Sequence, residues 1–257
     1  MSFAPRHALL PLLALLPLLG VLLLPDPAWA QSLNLDLGPD SGSTTARLFQ
    51  LVALLTVLSV APGLLIMVTS FTRIAVVLSI LRQALGTQTT PPNMVLISLA
   101  MFMTFFIMAP TFQQAWDDGV APLIREDITE EQAFERTVEP FRAFMLHHVR
   151  PKDLELFAKF RGEKAETVEQ VSTWSLVPAF MISELRRAFE IGFLIYLPFI
   201  VIDMVIASVL MSMGMMMLPP MMLAMPFKLI FFVLVDGWYL VVGSLLSSYS
   251  TVPGVGG

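Results

Sequence analysis

Long apolar stretches alternate with short polar segments along most of this chain. An uncharged run at residues 8–24 is followed by four further apolar stretches, at residues 48–81, 94–110, 191–211 and 229–246. Stretches of this length and composition predict helices that are buried in lipid or in other protein. The pattern therefore predicts an all-α integral membrane protein.

The first of the four stretches is too long for one straight membrane crossing. As a single helix, residues 48–81 would measure about 50 Å at 1.5 Å per residue, whereas the hydrocarbon core is about 30 Å thick. Pro62, Gly63 and Arg73 interrupt the stretch. We therefore predict a helix that is bent here or that continues beyond the lipid.

The first thirty residues have the order of a secretory signal peptide. Arg6 precedes the apolar run, and Ala28 and Ala30 form a small-x-small cleavage site. The alternative is a first transmembrane helix, but a run interrupted by two prolines and a glycine is short for about 30 Å of hydrocarbon. We predict cleavage of residues 1–30, which leaves residues 31–47 as a flexible periplasmic lead-in.

Residues 111–175 form the polar part of the chain and hold 13 acidic and 8 basic residues out of 35 charges in all. Thr129 and Gln132 have the spacing of a capping box at the start of a helix. Pro140 predicts a kink or a split in that helix. Apolar residues then recur at helical spacing, which marks one buried face: Phe134, Val138, Phe141, Met145 and Val149. We expect a small helical domain.

The signal peptide also predicts the orientation in the membrane. With the mature N-terminus outside, the loops at residues 82–92 and 212–228 face the cytoplasm. Arg73, Arg82 and Lys228 agree with this arrangement under the positive-inside rule. The polar domain then lies in the periplasm of a bacterium, attached to the inner membrane.

The composition excludes several classes of protein. Hydrophobic residues make up 56% of the chain and charged residues 14%, against about 25% charged in a soluble domain. A net charge of −5 without a basic block argues against nucleic acid as a partner. The absence of cysteine excludes disulfides and a thiol nucleophile. No catalytic or cofactor motif is present, so we expect neither an enzyme nor a bound cofactor.

Histidine does not change this expectation. His147 and His148 are adjacent, and adjacent residues point about 100° apart on a helix, so they cannot chelate one metal ion together. They are better interpreted as a feature of a helix C-terminus.

Asp203 and Asp236 lie inside the third and fourth apolar stretches. A carboxylate at the bilayer centre costs about 2.5–3.5 kcal/mol, so each needs a partner or a wet surrounding. One interpretation is a proton relay, which would make the chain a multi-pass secondary transporter. The other is a structural role, in an ion pair with Arg73 or against another subunit. The structural role is favoured because no third carboxylate or histidine nearby continues a relay.

Methionine is concentrated in one segment. Eight of the 17 methionines fall within residues 211–225, around Gly214, Pro219 and Pro220. The thioether side chain is unbranched and adapts to changing shapes, and a loop at membrane depth must be buried in protein or line a cavity. A soft apolar seal is favoured over ordinary packing, and both interpretations stay open at this point.

Two blocks of sequence resemble a known family. The first, residues 178–211, contains Ser-Glu-Leu-Arg-Arg-Ala-Phe-Glu and the apolar run through Asp203. The second begins with Gly-Met-Met-Met-Leu-Pro-Pro at residues 214–220 and continues to Trp238. Both are similar to the FliP/SctR family of type III secretion export gates. The signal peptide and the polar domain are more like the flagellar branch of that family.

The resemblance implies a pore subunit without enzymatic activity. Family members form a ring of five copies, joined by FliQ- and FliR-like subunits, through which unfolded flagellar proteins are exported. The apolar segments, residues 48–110 and 176–248, would then be helical hairpins buried largely in protein, with some contact to membrane lipid and a tail at residues 249–257.

The resemblance also implies roles for particular residues. It assigns closure of the pore to a gasket of Met215, Met216 and Met217, with Met213 adjacent. It favours a structural or assembly role for the charged residues of the apolar segments: Arg73, Glu184, Arg187, Asp203 and Asp236. Glu184, Arg187 and Glu190 share one helical face, where they either pair between subunits or are solvated.

Overall fold

The computed structural model describes residues 41–87, 89–163, 170–215 and 219–250. The signal peptide predicted at residues 1–30 lies outside these ranges, as do most of the predicted lead-in and of the C-terminal tail.

All regular secondary structure within the described ranges is helical, and no strand is found there. The helices are α1 (Ser41–Met67), α2 (Phe71–Ala84), α3 (Asn93–Ala115), a π-helix (Trp116–Val120), α4 (Ala121–Ile124), α5 (Glu130–His148), α6 (Pro151–Phe160), α7 (Thr173–Ser212), α8 (Pro220–Leu234) and α9 (Gly237–Ser250). The predicted all-α fold is confirmed.

The chain divides into two compact units, Met1–Thr56 and Val57–Gly257. The described part of the first unit is the beginning of α1. It starts at Ser41, within the segment predicted as a flexible lead-in. All contacts described below lie within the second unit.

Within the described ranges, two helices are long and apolar enough to cross a membrane, the continuous helix Asn93–Ile124 and the helix α7. The number rises to four if each of two bent pairs is one span. These pairs are α1 from Leu51 onward with α2, and α8 with α9, which are bent by 64°. These four parts correspond to the four apolar stretches in the sequence.

The helix boundaries differ from the predicted ones at prolines. Pro62 and Gly63 lie inside α1, and the chain bends at residues 68–70 instead. Pro110 lies inside α3, so that helix extends into the region predicted as the polar domain, and Pro140 lies inside α5 without splitting it. A proline removes one backbone hydrogen bond, and each of these three helices continues past its proline.

The capping box at the start of α5 is confirmed. The Gln132 N–H donates to Thr129 Oγ1 at 3.4 Å, and the Thr129 N–H donates to Gln132 Oε1 at 3.4 Å. The apolar face that follows is only partly buried, because Met145 and Val149 are in the core whereas Phe134 is 71% exposed.

Helix α7 is 40 residues long and takes part in two separate apolar cores. Its first half packs with α5 and α6 around Phe180. Its second half packs with α2, α3, α8 and α9 around Leu78 and Phe199. Gly192 permits the close approach of α2, since a Cβ atom at this position would lie 2.4 Å from Ile80 Cδ1. One unbroken helix therefore connects the polar region to the apolar hairpins.

Candidate functional site

Arg73 of α2 and Glu184 of α7 form a fully buried ion pair. Their side chains are 1% and 0% exposed. Arg73 Nε donates to Glu184 Oε2 at 2.9 Å, and Arg73 Nη2 donates to Glu184 Oε1. This bidentate geometry is the strongest that the two groups can form. The pair fixes the chain just after the bend at residues 68–70 to the first third of α7.

The end of α9 completes this buried cluster. Tyr249 donates its hydroxyl proton to Glu184 Oε2 at 2.5 Å, and Arg73 Cζ lies 3.8 Å from the centre of the Tyr249 ring. Arg73 Nη1 also donates to Ser248 Oγ at 2.9 Å. The cluster therefore holds α2, α7 and α9 together through polar contacts inside an apolar core.

This cluster corrects two expectations from the sequence. Arg73 pairs with Glu184, not with Asp203 or Asp236. Glu184 is used within its own chain and is fully buried, so the interpretation of Glu184 as a solvated or inter-subunit residue is wrong. Tyr249 is not among the residues predicted from the sequence. A tyrosine at the end of an apolar helix is nevertheless a signal, because a buried hydroxyl needs a hydrogen-bond partner.

Asp203 pairs with Lys228. Lys228 Nζ donates to Asp203 Oδ2 at 2.6 Å, and the side chains of Lys228 and Asp203 are 3% and 30% exposed. Asp203 lies on α7, which precedes the methionine-rich segment, and Lys228 lies on α8, which follows it. The ion pair therefore braces the two helices that carry this segment. Asp203 and Lys228 are the only charged residues between positions 191 and 235. This isolation in an apolar segment is the feature of the sequence that indicates their pairing.

Asp236 lies apart from this pair, at the bend between α8 and α9. Its backbone has a positive φ of 52°, which is uncommon for a residue other than glycine, and its side chain is exposed. Within the described ranges, Asp236 takes part in no ion pair, and no hydrogen bond joins it to Asp203. In the described part of the chain, Asp203 and Asp236 are therefore not directly connected to each other.

Arg187 and Glu190 also differ in their surroundings. Glu190 accepts a hydrogen bond from Arg186 Nε at 2.8 Å, and both side chains are more than half exposed. Such exposed pairs contribute about 0–1 kcal/mol. Arg187 is half-buried. Of the three residues predicted to share one face, Glu184 is buried, Arg187 is half-buried, and Glu190 is exposed and paired with Arg186.

The methionine-rich segment contains a turn that begins as α7 ends. Gly214 has a φ of +75°, its N–H donates to Met211 O, and the Met215 N–H donates to Leu210 O. This is a Schellman motif, which stops a helix at a glycine. Met213 and Met215 are 61% and 43% exposed at this turn.

The other two predicted gasket residues, Met216 and Met217, lie outside the described residues. The described methionines of the segment, however, are mostly on the surface, including Met221 at 70% and Met222 at 69%. They do not fill the core of this chain. Their thioether side chains lie on the surface of this chain.

Comparison with known proteins gives the family. Residues 54–245 match the FliP family. The flagellar biosynthetic protein FliP of Rhizobium meliloti is 55% identical over 227 residues, which cover 86% of this chain and 93% of that protein. The protein of the same name from Bacillus subtilis is 54% identical over 212 residues, with 82% and 95% covered. This chain belongs to the FliP family.

The FliP-family membership confirms the resemblance found in the sequence. It makes the chain a flagellar biosynthetic protein, and its long apolar helices fit association with a membrane. Within the described part of this FliP-family chain, no group of three or more histidine or acidic side chains is placed to hold a metal ion.

The polar region of this FliP-family chain is attached to α7 through a buried carboxylate. Asp153 of α6 is 6% exposed and accepts hydrogen bonds from Arg150 Nη2 on one oxygen at 2.7 Å and from Ser183 Oγ on the other at 2.6 Å. The hydrogen bond from Arg150 foremost, with that from Ser183, lowers the pKa of Asp153. Asp153 therefore stays ionised and anchors α6 to α7.

His148 is a buried, neutral residue at the end of α5. It is 4% exposed, and its Nδ1 lies 2.8 Å from Phe144 O. Burial is the main reason that the pKa of His148 falls from 6.5 to about 4. His147 and His148 are the last two residues of α5, as predicted. His148 is neutral, however, whereas a favourable interaction with the helix dipole requires a cation.

We predict that His148 makes this protein less stable in mild acid. The unfolded chain binds a proton near pH 6.5 and the folded chain only near pH 4, so stability is lost as the pH falls through this window. Between pH 7.5 and pH 5 the loss is about 2 kcal/mol. In thermal unfolding of the detergent-solubilised protein, the drop in Tm over this interval is smaller for His148→Gln than for the wild type. The neighbouring His147, changed to Gln, keeps the full drop, and equal drops in all three proteins would contradict this origin.

Proposed function

We propose that this chain is a pore-forming subunit of the flagellar type III protein export gate. It passes unfolded flagellar proteins across the inner membrane and prevents ions from leaking. It acts as a homo-oligomer, with five copies implied by the family resemblance, together with FliQ- and FliR-like subunits. Membership of the FliP family supports the flagellar role.

The observation that carries this proposal is the exposure of methionine at the turn after α7. Met213 and Met215 are exposed on either side of Gly214. Flexible, polarizable side chains repack around shapes that change. Several copies of this turn around an axis fill a narrow opening with thioethers, which can move aside for an unfolded chain and close again behind it.

The buried pair of Arg73 with Glu184 and the partly buried pair of Asp203 with Lys228 support a gate in which only the turn deforms. Asp203 and Lys228 hold together α7 and α8, the two helices that flank the turn. The cluster of Arg73, Glu184 and Tyr249 holds the end of α9 against α2 and α7. Because buried pairs are costly to break, these helices keep their positions while the methionines rearrange.

The exposed apolar surface supports assembly. On α7, for example, Phe193 is 60% exposed and Leu194 is 65% exposed. Apolar surface of this extent is buried in lipid or against other subunits. In this proposal the polar region between the π-helix and α6 lies in the periplasm, the assembly is anchored in the bacterial inner membrane at the flagellar basal body, and only part of the apolar surface contacts lipid.

Native mass measurement of the detergent-purified chain tests the proposal. We expect a ring of copies of this chain, either alone or with FliQ- and FliR-like subunits. A monomer or dimer that persists in the presence of those subunits would contradict it and would favour a secondary transporter.

A second measurement distinguishes the gate from a proton-coupled transporter. Asp203 is tied to a buried lysine, and Asp236 lies at a separate bend, so we predict that Asp203→Asn and Asp236→Asn reduce the amount of assembled gate. Assembly is measured by native mass and export by secretion of a flagellar substrate. A variant that assembles normally and loses export alone would favour the proton relay.

A further inference from the structure

On α7, α8 and the bend before α9, two charged residues form no ion pair within the described ranges. Residues 173–250 contain seven charged side chains. Five of them are paired within the chain, as Glu184 with Arg73, Arg186 with Glu190, and Asp203 with Lys228. The two that remain, one cation and one carboxylate, have no ion pair within the described ranges: Arg187 and Asp236.

Both residues lie on apolar surface. On α7, Leu194 and Val201 share the helical face of Arg187 at spacings of seven and fourteen residues, and they are 65% and 58% exposed. At the bend before α9, Asp236 lies two positions after Leu234, which is 79% exposed. When such surfaces are covered in an assembly or by lipid, a charge left without a partner is strongly unfavourable.

The two residues are too far apart to pair within one chain. The backbone of Gly237, the residue after Asp236, lies against the ring of Phe232, since a Cβ atom there would be 2.2 Å from Phe232 Cδ2. Phe232 packs on Phe199 of α7 with 6.4 Å between ring centres. Phe199 and Arg187 are twelve positions apart on α7, which is about 18 Å along the helix.

We propose that Arg187 of one copy forms an ion pair with Asp236 of the next copy. A head-to-tail contact between copies joins two different patches of the same chain. Each copy then uses its cation on one side and its carboxylate on the other, so a closed ring leaves neither charge unpaired. This inference rests on the proposed homo-oligomeric gate and names one contact of its subunit interface.

Cross-linking tests the contact directly, because the chain contains no cysteine of its own. The full chain carrying both Arg187→Cys and Asp236→Cys is expressed with the FliQ- and FliR-like subunits and treated with a short bismaleimide. We expect a ladder of linked copies that ends at the full ring. Either single-cysteine chain, or Asp118→Cys combined with Asp236→Cys, forms no ladder. Linkage of the thiol at position 236 to another gate subunit, or no linkage, would overturn the proposal.

Charge reversal gives an independent test that does not depend on cysteine. Arg187→Asp alone, or Asp236→Arg alone, places like charges together, and we expect the fraction of assembled complex to fall at least about tenfold. Both changes in one chain restore the opposite charges and the assembly. Glu155→Arg, a charge reversal at an exposed position of α6 in the polar region, is the control and leaves assembly unchanged.

The outcomes separate this inference from the proposed function. If the wild-type chain forms no ring, the gate itself is contradicted. If the wild-type ring forms and neither single reversal reduces it, only the pairing of Arg187 with Asp236 is overturned. If both reversals abolish assembly but the double reversal does not restore it, the two residues are each important but are not partners, and the pairing is again overturned.

Discussion

Changing Met215, Met216 and Met217 together to alanine leaves the gate assembled but makes the membrane permeable to small ions. Each substitution replaces a long, flexible thioether with a single methyl group, so the copies around the axis no longer fill the opening. The helices that carry the turn keep their positions, since the ion pair of Asp203 with Lys228 is unaffected.

Ion flux into membrane vesicles that contain the complex, together with native mass, measures both parts of this expectation. Met211, Met221 and Met222, changed together to alanine, form the matched control. They belong to the same segment and are 59%, 70% and 69% exposed, but they lie on α7 and α8 and not at the turn. A tight membrane in the first variant would contradict the gasket, and equal leakage in both would place the seal along the whole segment.

Breaking the buried pair of Arg73 with Glu184 destabilises the folded chain by about 3–5 kcal/mol. Arg73→Met leaves an unpaired carboxylate in an apolar core, and Glu184→Gln leaves an unpaired guanidinium there. Both side chains are at most 1% exposed, so water cannot solvate the remaining charge. We expect a large fall in Tm for either variant in detergent. We also expect weaker attachment of the end of α9, because Arg73→Met removes the donor to Ser248 and Glu184→Gln removes the carboxylate that accepts from Tyr249.

The double variant and a control on the same helix make this test specific. Arg73→Met combined with Glu184→Gln removes both charges, so it is less destabilised than the sum of the single variants. Arg186→Ala breaks an exposed pair with Glu190 and changes stability by about 0–1 kcal/mol. Equal effects of Arg73→Met and Arg186→Ala would show that the buried pair is not important for stability.

The sequence predicts those features of this fold that depend on neighbours along the chain. The apolar stretches become helices because their length and hydropathy are local properties. The capping box at Thr129 forms because its two hydrogen bonds join residues three positions apart. The proline positions are less informative about helix ends, since Pro62, Pro110 and Pro140 all lie inside helices.

The partners of the buried charges depend on contacts that are distant in sequence. Arg73 and Glu184 are 111 positions apart, and several other carboxylates were equally available as partners. Asp203 and Lys228 are 25 positions apart, and their pairing follows once they are seen to be the only charges in a long apolar segment. The sequence identifies which charges need a partner, and the packing of α2 and α8 on α7 decides which partner each one has.

Helix α7 also has a mechanical consequence. It runs without a break from the anchor of the polar region, where Ser183 holds Asp153, to the turn at Gly214. From Ser183 to Ser212 the helix covers about 44 Å, and along this length Arg73 holds it at Glu184 and Lys228 holds it at Asp203. α7 therefore acts as a strut that keeps the turn at a constant distance from the polar region.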